Sequence, residues 1–370
     1  MTPGEELKLR SVERRYGDAV ALESLDLDVA PGQILALTGP SGAGKTTTCR
    51  LISGIEAPDE GEIWLGTRRL DELSPQARHI SYMFESYALY PQLSVRDNIA
   101  FPLRAPGHRM CYDERTIAAR VDEVLELVEM ADLGQRMPAA LSGGQKQRVA
   151  LCRALVQDPT AYLLDEPISH LDAKLRHKLR GAIRRRLRDS GVPTLWCTPD
   201  GLEALSVADR VAVLIGGRVE QVDMPMRVYL TPASVKVARL LGDPPTNLLE
   251  GELMHQSDQL VFRCNGLSID LPHAVARRVE TVAGSRKVVL GVRPTELSVA
   301  PASAAVGAAA EVYTFEPFGK YTITTVQLGG SLIKSKSFDQ TPLRPGDHVR
   351  VRFQSSSFLL FDLQTGKALR

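Results

Sequence analysis

Long hydrophobic runs are missing from this 370-residue sequence. No apolar stretch approaches the roughly 18 residues that a membrane-spanning helix needs. The first six residues, Met1–Glu6, are acidic at their end and lack the apolar core of a signal peptide. The sequence therefore predicts a soluble chain that works in the cytosol.

An excess of charge of either sign is also absent. Lys and Arg total 45 and Asp and Glu total 44, so the formal net charge is +1. Nucleic-acid binders usually carry a basic excess, and the composition gives no support for a nucleic-acid partner. With 44% hydrophobic and 24% charged residues, the chain is neither wholly disordered nor fibrous. At about 150 residues per domain, its length predicts two or three domains.

Cysteine is scarce and scattered without CxxC or CxxH spacing, which argues against a disulfide framework or a zinc site. We expect each cysteine to be a small buried hydrophobe. The five are Cys49, Cys111, Cys152, Cys197 and Cys264.

What is present is an alternation of short β-rich runs and helical patterns over residues 1–240, typical of an α/β domain. Ile34–Thr38 predicts a buried strand, followed by a glycine-rich loop and a helix over Lys45–Ile52. A mostly helical stretch at about 93–157 predicts an inserted subdomain. Further buried strands are predicted at Ala161–Leu164, Thr194–Cys197 and Val211–Ile215.

The pattern changes after Leu241, where Gly242–Pro245 would break the preceding helix. The remaining residues form short β-type runs, and Pro301–Ala310 is expected to be a flexible connection. Residues 241–370 therefore predict a separate, small β-barrel-like domain. Its predicted strands include Gln259–Phe262, Val288–Val292, Tyr321–Leu328 and His348–Phe353.

A phosphate-binding loop is the strongest motif. Gly39–Thr46 matches G-x-x-x-x-G-K-[ST] between a predicted strand and a predicted helix. Glycines let the backbone N–H groups point at phosphates, Lys45 neutralises β- and γ-phosphate charge, and the Thr46 hydroxyl coordinates Mg²⁺. The residues predicted to bind ATP are Gly39, Pro40, Ser41, Gly42, Ala43, Gly44, Lys45, Thr46 and Thr47.

An acidic pair follows the second buried strand. Asp165 at the strand's end is the expected second partner of Mg²⁺, and Glu166 can polarise an attacking water as general base. Alone, such a pair could be a helix cap, but a P-loop upstream favours the catalytic interpretation.

A second anion-binding device lies at Leu141–Arg148, where a Ser-Gly-Gly turn leads into a predicted helix. One nucleotide does not need two phosphate cradles within one chain. Two chains facing each other head to tail would use both cradles. The Ser-Gly-Gly turn of each chain, called the signature loop below, would close over the partner's P-loop. The loop residues predicted to contact nucleotide are Ser142, Gly143, Gly144 and Gln145.

With these motifs the sequence resembles the ATP-binding subunits of ABC transporters over essentially its whole length. P-loop, signature, Walker B at Tyr162–Glu166 and D-loop at Ser169–Asp172 occur in the family's order and spacing, and Tyr16 matches the aromatic residue that stacks on adenine. The resemblance implies an α/β P-loop NTPase fold, a RecA-like core with a helical subdomain, and a C-terminal OB-like (TOBE-type) regulatory domain. It also implies ATP, Mg²⁺ and transmembrane permease subunits.

The segment Ser86–Pro91 is similar to that of carbohydrate importers of the maltose and glycerol-3-phosphate type, and Leu290–Pro294, Arg344–Asp347 and Phe361–Asp362 resemble their C-terminal domain. The implied protein is a peripheral subunit on the cytoplasmic side of the inner membrane, served indirectly by a solute-binding protein. Spermidine and iron importers share this layout and stay open as alternatives. A soluble ABC protein without a transport role fits the same segments less well.

Two positions depart from the family's pattern. Glu85 stands where the Q-loop carries glutamine, and Pro199 stands where the switch strand is followed by a histidine that contacts the γ-phosphate. A carboxylate can still ligate Mg²⁺ but adds negative charge, and proline offers no side-chain donor or backbone N–H. We expect this chain's own site to hydrolyse ATP poorly, while its signature loop completes the site of a second, different ATPase subunit. The alternative is a nucleotide-binding subunit without any hydrolysis.

A basic run at Lys174–Arg188 is the remaining charge cluster. Its apolar residues recur at four-residue steps, which predicts an amphipathic helix with a solvated basic face rather than a nucleic-acid site. These apolar residues are Leu175, Leu179, Ile183 and Leu187.

Overall fold

The computed structural model describes residues 4–105, 112–256, 259–273, 275–276, 287–339, 341–354 and 358–369. Backbone contacts divide the chain into two compact units, Met1–Pro225 and Met226–Arg370. The sequence placed the boundary at residue 240, and the two short helices between these positions belong to the second unit. In the part of the chain that the structure describes, no helix is both long and apolar enough to cross a membrane.

The first unit has an α/β architecture. Its strands are β1 (Leu7–Tyr16), β2 (Ala19–Val29), β3 (Ile34–Thr38), β4 (Glu60–Leu65), β5 (Arg68–Arg69), β6 (Ile80–Met83), β7 (Ala161–Asp165), β8 (Thr194–Thr198), β9 (Arg210–Ile215) and β10 (Arg218–Asp223). Its helices are α1 (Lys45–Ser53), α2 (Pro75–Arg78), α3 (Val95–Arg104), α4 (Glu114–Leu127), α5 (Gly143–Leu155), α6 (Ala173–Asp189) and α7 (Gly201–Val207).

A six-stranded sheet in the order β10-β9-β3-β8-β7-β6 forms the centre of this unit. Strand β3 is parallel to both β8 and β9, and β7 is parallel to β6 and β8. All five residues in each of β3, β7 and β8 are buried. Strands covered on both faces read as continuous apolar runs, which is why the sequence predicted them correctly.

A second sheet, β2-β1-β4-β5, is antiparallel and packs its apolar residues into the same core as α1. Leu9 and Leu25 from this sheet and Leu51 from α1 are fully buried in that core. The predicted helix at Lys45–Ile52 is confirmed and ends at Gly54, whose left-handed φ of 82° closes it.

The helical stretch predicted at about 93–157 contains α3, α4 and α5. Ser94 caps α3 by accepting a hydrogen bond from the Asp97 backbone, and Asp113 caps α4 in the same way. One face of the segment that contains α4 is buried, namely Ile117, Val121, Val124, Leu125 and Val128. The helix α6 is amphipathic as predicted, with Leu179, Ile183 and Leu187 buried and its basic side chains on the other faces.

Four of the five cysteines are free and buried, as expected for small hydrophobes: Cys49, Cys152, Cys197 and Cys264. The prediction for Cys111 falls outside the described residues.

The second unit contains two five-stranded antiparallel sheets, β13-β12-β11-β14-β20 and β15-β19-β16-β17-β18, among its described residues. Its elements are α8 (Pro225–Leu230), α9 (Val235–Leu240), β11 (Asn247–Gln256), β12 (Gln259–Cys264), β13 (Leu267–Asp270), β14 (Lys287–Val292), β15 (Leu297–Pro301), β16 (Ala308–Pro317), β17 (Thr322–Leu328), β18 (Ser331–Ser337), β19 (His348–Phe353) and β20 (Leu359–Asp362). Residues from both sheets form one hydrophobic cluster.

The expectation of a flexible connection over Pro301–Ala310 is wrong at both ends. Pro301 is the last residue of β15, and Ala308 is the first of β16, paired with Val351 of β19. Ala310 is buried in the cluster between the sheets. Alanine is depleted in strands, so this run carried no β signal, and the cross-strand partners determine its structure.

A buried arginine ties the two short helices to this unit. The Arg293 guanidinium donates to the Leu241 carbonyl at 2.9 Å and to the Thr246 hydroxyl at 3.2 Å. The guanidinium carbon also lies 3.5 Å from the centroid of the Tyr229 ring. The backbone carbonyl of Tyr229 accepts a further hydrogen bond from Arg293. Burial lowers the pKa of Arg293, so these contacts offset the cost of holding a charge away from water.

We predict that Arg293→Lys destabilises the second unit by about 2–4 kcal/mol. A lysine keeps the charge but cannot satisfy several acceptors and stack on Tyr229 at once, so buried carbonyls lose their donor. Calorimetric unfolding should show the loss, and hydrogen exchange should place it in α9 and β14. Arg239→Lys, at an exposed position of α9, is the matched control and should leave the transition unchanged. Equal stability of the two variants would contradict the role given to Arg293.

Candidate nucleotide-binding site

The P-loop follows β3 and lies against two neighbouring segments. The approach is so close that two of its glycines have no room for a side chain. A Cβ at Gly39 would lie 2.0 Å from the Leu214 carbonyl oxygen. Gly44 has a φ of 108°, and a Cβ there would lie 2.6 Å from the Ala21 carbonyl oxygen. Both positions require glycine, which explains why the loop can present its backbone rather than side chains.

Lys45 is the first residue of α1 and is only 7% exposed. Its Nζ donates to the carbonyl oxygens of Gly39 and Pro40 at 2.9 and 3.0 Å. The loop thus holds the ammonium group over its own turn, beside the positive end of the α1 dipole. A phosphate is a stronger acceptor than these carbonyls, so the arrangement suits an incoming polyphosphate.

The structure brings most of the predicted site residues together around one cavity of about 470 Å³. Tyr16 lies on one side of the cavity, and Glu85 and Glu166 also line it. The lining residues are Tyr16, Ala19, Val20, Ala21, Ser41, Gly42, Gly44, Lys45, Thr46, Thr47, Glu85 and Glu166. This set combines an aromatic ring, a phosphate-binding loop and carboxylates, which are groups that can bind a nucleotide and take part in its hydrolysis.

Asp165 ends β7 and is 1% exposed. Its Oδ1 has no hydrogen-bond partner among the described residues, and Tyr82 donates to its Oδ2 at a long 3.5 Å. Burial raises the pKa of Asp165 to about 6, the Thr46 hydroxyl opposes the rise, and the charges of Glu85 and Glu166 add to it. A buried carboxylate with an unused oxygen beside a threonine hydroxyl fits a divalent cation.

No group of three or more His, Cys, Asp and Glu side chains is placed to hold a metal ion by itself within the described parts of the chain. A cation at Thr46 and Asp165 would therefore need further oxygen ligands. Mg²⁺ is usually bound by one or two protein ligands together with substrate phosphates and waters, so these residues fit Mg²⁺ that arrives with ATP.

Glu166 follows β7 in an unusual backbone conformation, with a φ of 51° in the left-handed region. Its N–H donates to the Cys197 carbonyl of β8 at 2.9 Å, and its carbonyl accepts from Gln147 of α5 at 2.7 Å. The switch strand and the helix after the signature loop therefore hold this peptide from both sides. Non-glycine residues in this region are strained, and such strain is often found at functional sites.

The two positions that depart from the family's pattern lie in different surroundings. Glu85 is exposed and lines the cavity, where it faces the same space as Glu166. Pro199 comes directly after β8 and is partly buried. The next residue, Asp200, caps α7 by accepting hydrogen bonds from Leu202 and Glu203. Position 199 thus carries no polar side chain at the end of the switch strand.

The signature loop forms a self-contained turn at the start of α5. Ser142 and Gln145 form a capping box, in which the Ser142 N–H donates to the Gln145 side chain at 2.9 Å and the Gln145 N–H donates to the Ser142 hydroxyl at 3.3 Å. Ser142 and Gly143 are exposed, and a Cβ at Gly143 would meet nothing within 4 Å. None of Ser142–Gln145 belongs to the lining of the P-loop cavity.

A separate groove of about 480 Å³ lies beside the segment that follows Glu85. Ring pairs border it, with Tyr82 and Phe84 centroids 4.2 Å apart and those of Tyr90 and Phe101 4.4 Å apart. The full lining is Pro75, Gln76, His79, Ile80, Tyr82, Phe84, Ala88, Tyr90, Phe101, Pro102, Ala105, Arg153, Gln157, Asp158 and Pro159.

Sequence reasoning missed four polar contacts that connect these parts. Gln147 reaches Glu166, and the Tyr87 hydroxyl lies 2.8 Å from Nδ1 of His170 in the D-loop. Arg153 of α5 donates to the carbonyls of Tyr87 and Ala88 at 2.6 and 2.7 Å. One signal was available, because Gln147 occupies the inward face of α5 with apolar neighbours along the helix, where a glutamine needs buried partners.

The fold and the site together define an ATP-binding cassette: a P-loop on a parallel sheet, with an exposed second anion-binding loop at a helix start. A family model described as ABC transporter matches residues 22–169, and one described as TOBE domain matches residues 290–361. The chain belongs to the ATP-binding subunits of ABC transporters and is an ATPase of that family, with a C-terminal TOBE domain.

Similar proteins include import ATP-binding proteins over nearly full length. The xylose/arabinose import protein of Haloferax volcanii is 39% identical and aligns over 96% of this chain and 91% of its own. The sn-glycerol-3-phosphate import protein of Bordetella bronchiseptica is 38% identical over 93% of each chain. The trehalose/maltose import protein of Thermococcus litoralis is 37% identical over 98% of this chain and 99% of its own.

Solved structures resemble the first part of the chain. The dimeric bacterial ABC transporter cassette MJ0796 has a TM-score of 0.56 and 29% identity, covering 59% of this chain and 98% of its own. Its post-hydrolysis dimer, bound to ADP and Pi, has a TM-score of 0.55 and 28% identity, with the same coverage.

We predict that Asp165→Asn stabilises the nucleotide-free protein near pH 7 by roughly 3 kcal/mol. The pKa of Asp165 is about 6 in the folded chain and near 4 in an unfolded one, so the charged form opposes folding above pH 6. Protonation removes this penalty as the pH falls from 6 to 4, and the stability of the wild type should then approach that of the variant.

The measurement is the difference in unfolding free energy between Asp165→Asn and wild type from pH 4 to pH 8, without nucleotide or metal. Asp18→Asn, at an exposed aspartate, is the control and should show no such convergence. A difference that is independent of pH would contradict the raised pKa.

Proposed function

We propose that this chain is the energy-coupling subunit of an ABC importer for a carbohydrate or a related small solute. The cavity that gathers Tyr16, the P-loop, Glu85 and Glu166 carries the nucleotide part of this proposal. Import of xylose/arabinose, glycerol-3-phosphate and trehalose/maltose by the similar proteins supports the solute class over spermidine or iron. The chain would work on the cytoplasmic side of the membrane with permease subunits, and indirectly with a solute-binding protein.

In this proposal ATP binds with its adenine against Tyr16 and its phosphates in the P-loop. Lys45 then exchanges its carbonyl partners for β- and γ-phosphate oxygens. Thr46 and Asp165 would hold Mg²⁺, which would supply positive charge to the phosphates. Glu166 accepts a proton from the attacking water.

We propose that an element of a permease subunit binds in the groove beside Tyr90 and Phe101. Its wall is tied to the catalytic side of the unit, because Arg153 holds Tyr87 and Ala88 while Tyr87 contacts His170 of the D-loop. Movement in the groove would therefore reach the D-loop through short polar contacts. This provides a path by which ATP-driven closure changes the permease.

We propose that the nucleotide site at the P-loop cavity hydrolyses ATP poorly. Glu85 adds a negative charge to a cavity that already contains Glu166 and adjoins Asp165, and it lacks the amide donor of a glutamine. Pro199 offers no group to stabilise charge on the γ-phosphate. Losing one such contact commonly costs about 10²-fold or more in rate.

The signature loop supports a partner with a competent site. Ser142 to Gln145 are intact and capped, and Ser142 and Gly143 are exposed, so the loop can face another subunit. We propose a heterodimer in which the second ATPase subunit retains glutamine and histidine at the positions of Glu85 and Pro199. A subunit that binds ATP without hydrolysing it is the limiting case of this arrangement.

We predict that Glu85→Gln combined with Pro199→His raises ATP turnover by the isolated chain about 10- to 10²-fold. The double variant restores an amide donor and an imidazole next to the γ-phosphate. Steady-state ATPase assays would compare it with the wild type, with Lys45→Ala in the double variant as the control that removes the signal. Full turnover by the wild-type chain alone, or no gain in the double variant, would contradict poor hydrolysis at this site.

We predict opposite effects of two variants in the complex with the partner ATPase. Gly143→Asp should abolish most turnover, because it puts a charge where the signature loop meets the partner's nucleotide. The fold accommodates this residue, since a Cβ at 143 has open space. Lys45→Ala should leave most turnover, because it removes ATP only from the slow site. Equal losses in the two variants would favour two active sites.

A further inference from the structure

Gln147, whose side chain bonds to the proposed general base, is fully buried, with an exposed fraction of 0%. Its Nε2 donates to the Glu166 carbonyl at 2.7 Å and to the Ser169 hydroxyl at 3.2 Å. Its Oε1 accepts from the His170 N–H at 3.1 Å. One carboxamide therefore bonds to the last residue of Walker B and to the first two residues of the D-loop.

These bonds fall on the segment whose backbone is strained. Glu166 has a φ of 51°, in the left-handed region where a non-glycine residue is strained. The N–H of Glu166 donates to the Cys197 carbonyl. The carbonyl oxygen of Glu166 accepts from Gln147 and from the Ser169 hydroxyl. The direction of the Glu166 side chain follows from this peptide orientation.

Packing alone does not require a glutamine at this position. Buried neighbours on the same helix, such as Ala150, Leu151 and Ala154, are apolar, and a methionine would fill a similar volume. Burying a carboxamide is costly unless its partners are satisfied, and here all its hydrogen bonds converge on residues 166–170. This makes orientation of that segment the specific contribution of Gln147.

We propose that Gln147 is a positioning residue for ATP hydrolysis, which holds the Glu166 peptide so that the carboxylate faces the γ-phosphate. It also ties the D-loop to α5, the helix that begins at the signature loop. Displacement of α5 when two subunits close would thus reach Glu166 directly. This inference rests on the proposed role of Glu166 as general base.

The test uses Gln147→Met and Gln147→Glu in the full-length chain, in both the wild-type and the Glu85→Gln/Pro199→His backgrounds. Single-turnover rates at saturating Mg-ATP, ATP affinity and unfolding free energy are measured for each. We expect Gln147→Met to lower the rate about tenfold or more, with ATP affinity within about twofold. A glutamate keeps the acceptor for His170 but donates to Glu166 only when protonated, so the rate of Gln147→Glu relative to its parent should rise as the pH falls.

Asn98→Leu is the matched control, because Asn98 is a fully buried carboxamide of the same unit that bonds to backbone groups away from the P-loop cavity. It should lower stability without the split between rate and ATP affinity. Unchanged rates in the Gln147 variants, or losses that match Asn98→Leu with no pH effect, would overturn the inference. Because each rate is compared with its own parent, failure of the double variant to gain activity would overturn poor hydrolysis and leave this comparison intact.

Discussion

The register of three parallel strands is the constraint on which this site depends. Strand β3 pairs with β8 so that Thr38 lies opposite Thr198, and β8 pairs with β7 so that Cys197 lies opposite Asp165. The P-loop, position 199 and the Walker B carboxylates each follow one of these strands. They meet because the carboxyl ends of parallel strands share one edge of the sheet. A slip of one residue would turn the buried side chains of a strand to the opposite face.

Electrostatics then determines what this edge can bind. Asp165 is buried near Glu85 and Glu166, and its raised pKa records the repulsion and the loss of water around it. Lys45 supplies positive charge there but is itself held by loop carbonyls. A divalent cation with a polyphosphate would satisfy both groups, since the cation meets the carboxylate and the phosphate meets the ammonium. The carboxylate of Glu85 adds a further negative charge to this edge of the sheet. We therefore expect it to affect the reaction rather than the fold.

Sequence patterns were sufficient wherever the determinant is local or the burial is continuous. The buried strands of the first unit and the helix after the P-loop followed from such patterns. The start of β16 at Ala308 did not, because its pairing with β19 compensates for weak propensity. The contacts of Gln147 with Glu166 also escaped prediction, since they join residues that only the tertiary fold brings together.

The geometry separates the two halves of the nucleotide chemistry within one unit. The P-loop cavity contains Glu85 and Glu166, whereas the signature loop is capped by its own Ser142 and Gln145 and exposes Ser142 and Gly143. In the proposed head-to-tail pair of subunits, a substitution at position 85 or 199 would therefore act on one composite site, and a change in the signature loop would act on the other. Gln147 links the two halves, because it belongs to α5, which begins at the signature loop, and bonds to the Glu166 peptide. In the proposed heterodimer, this connection would let the weak site report its nucleotide state to the partner's site.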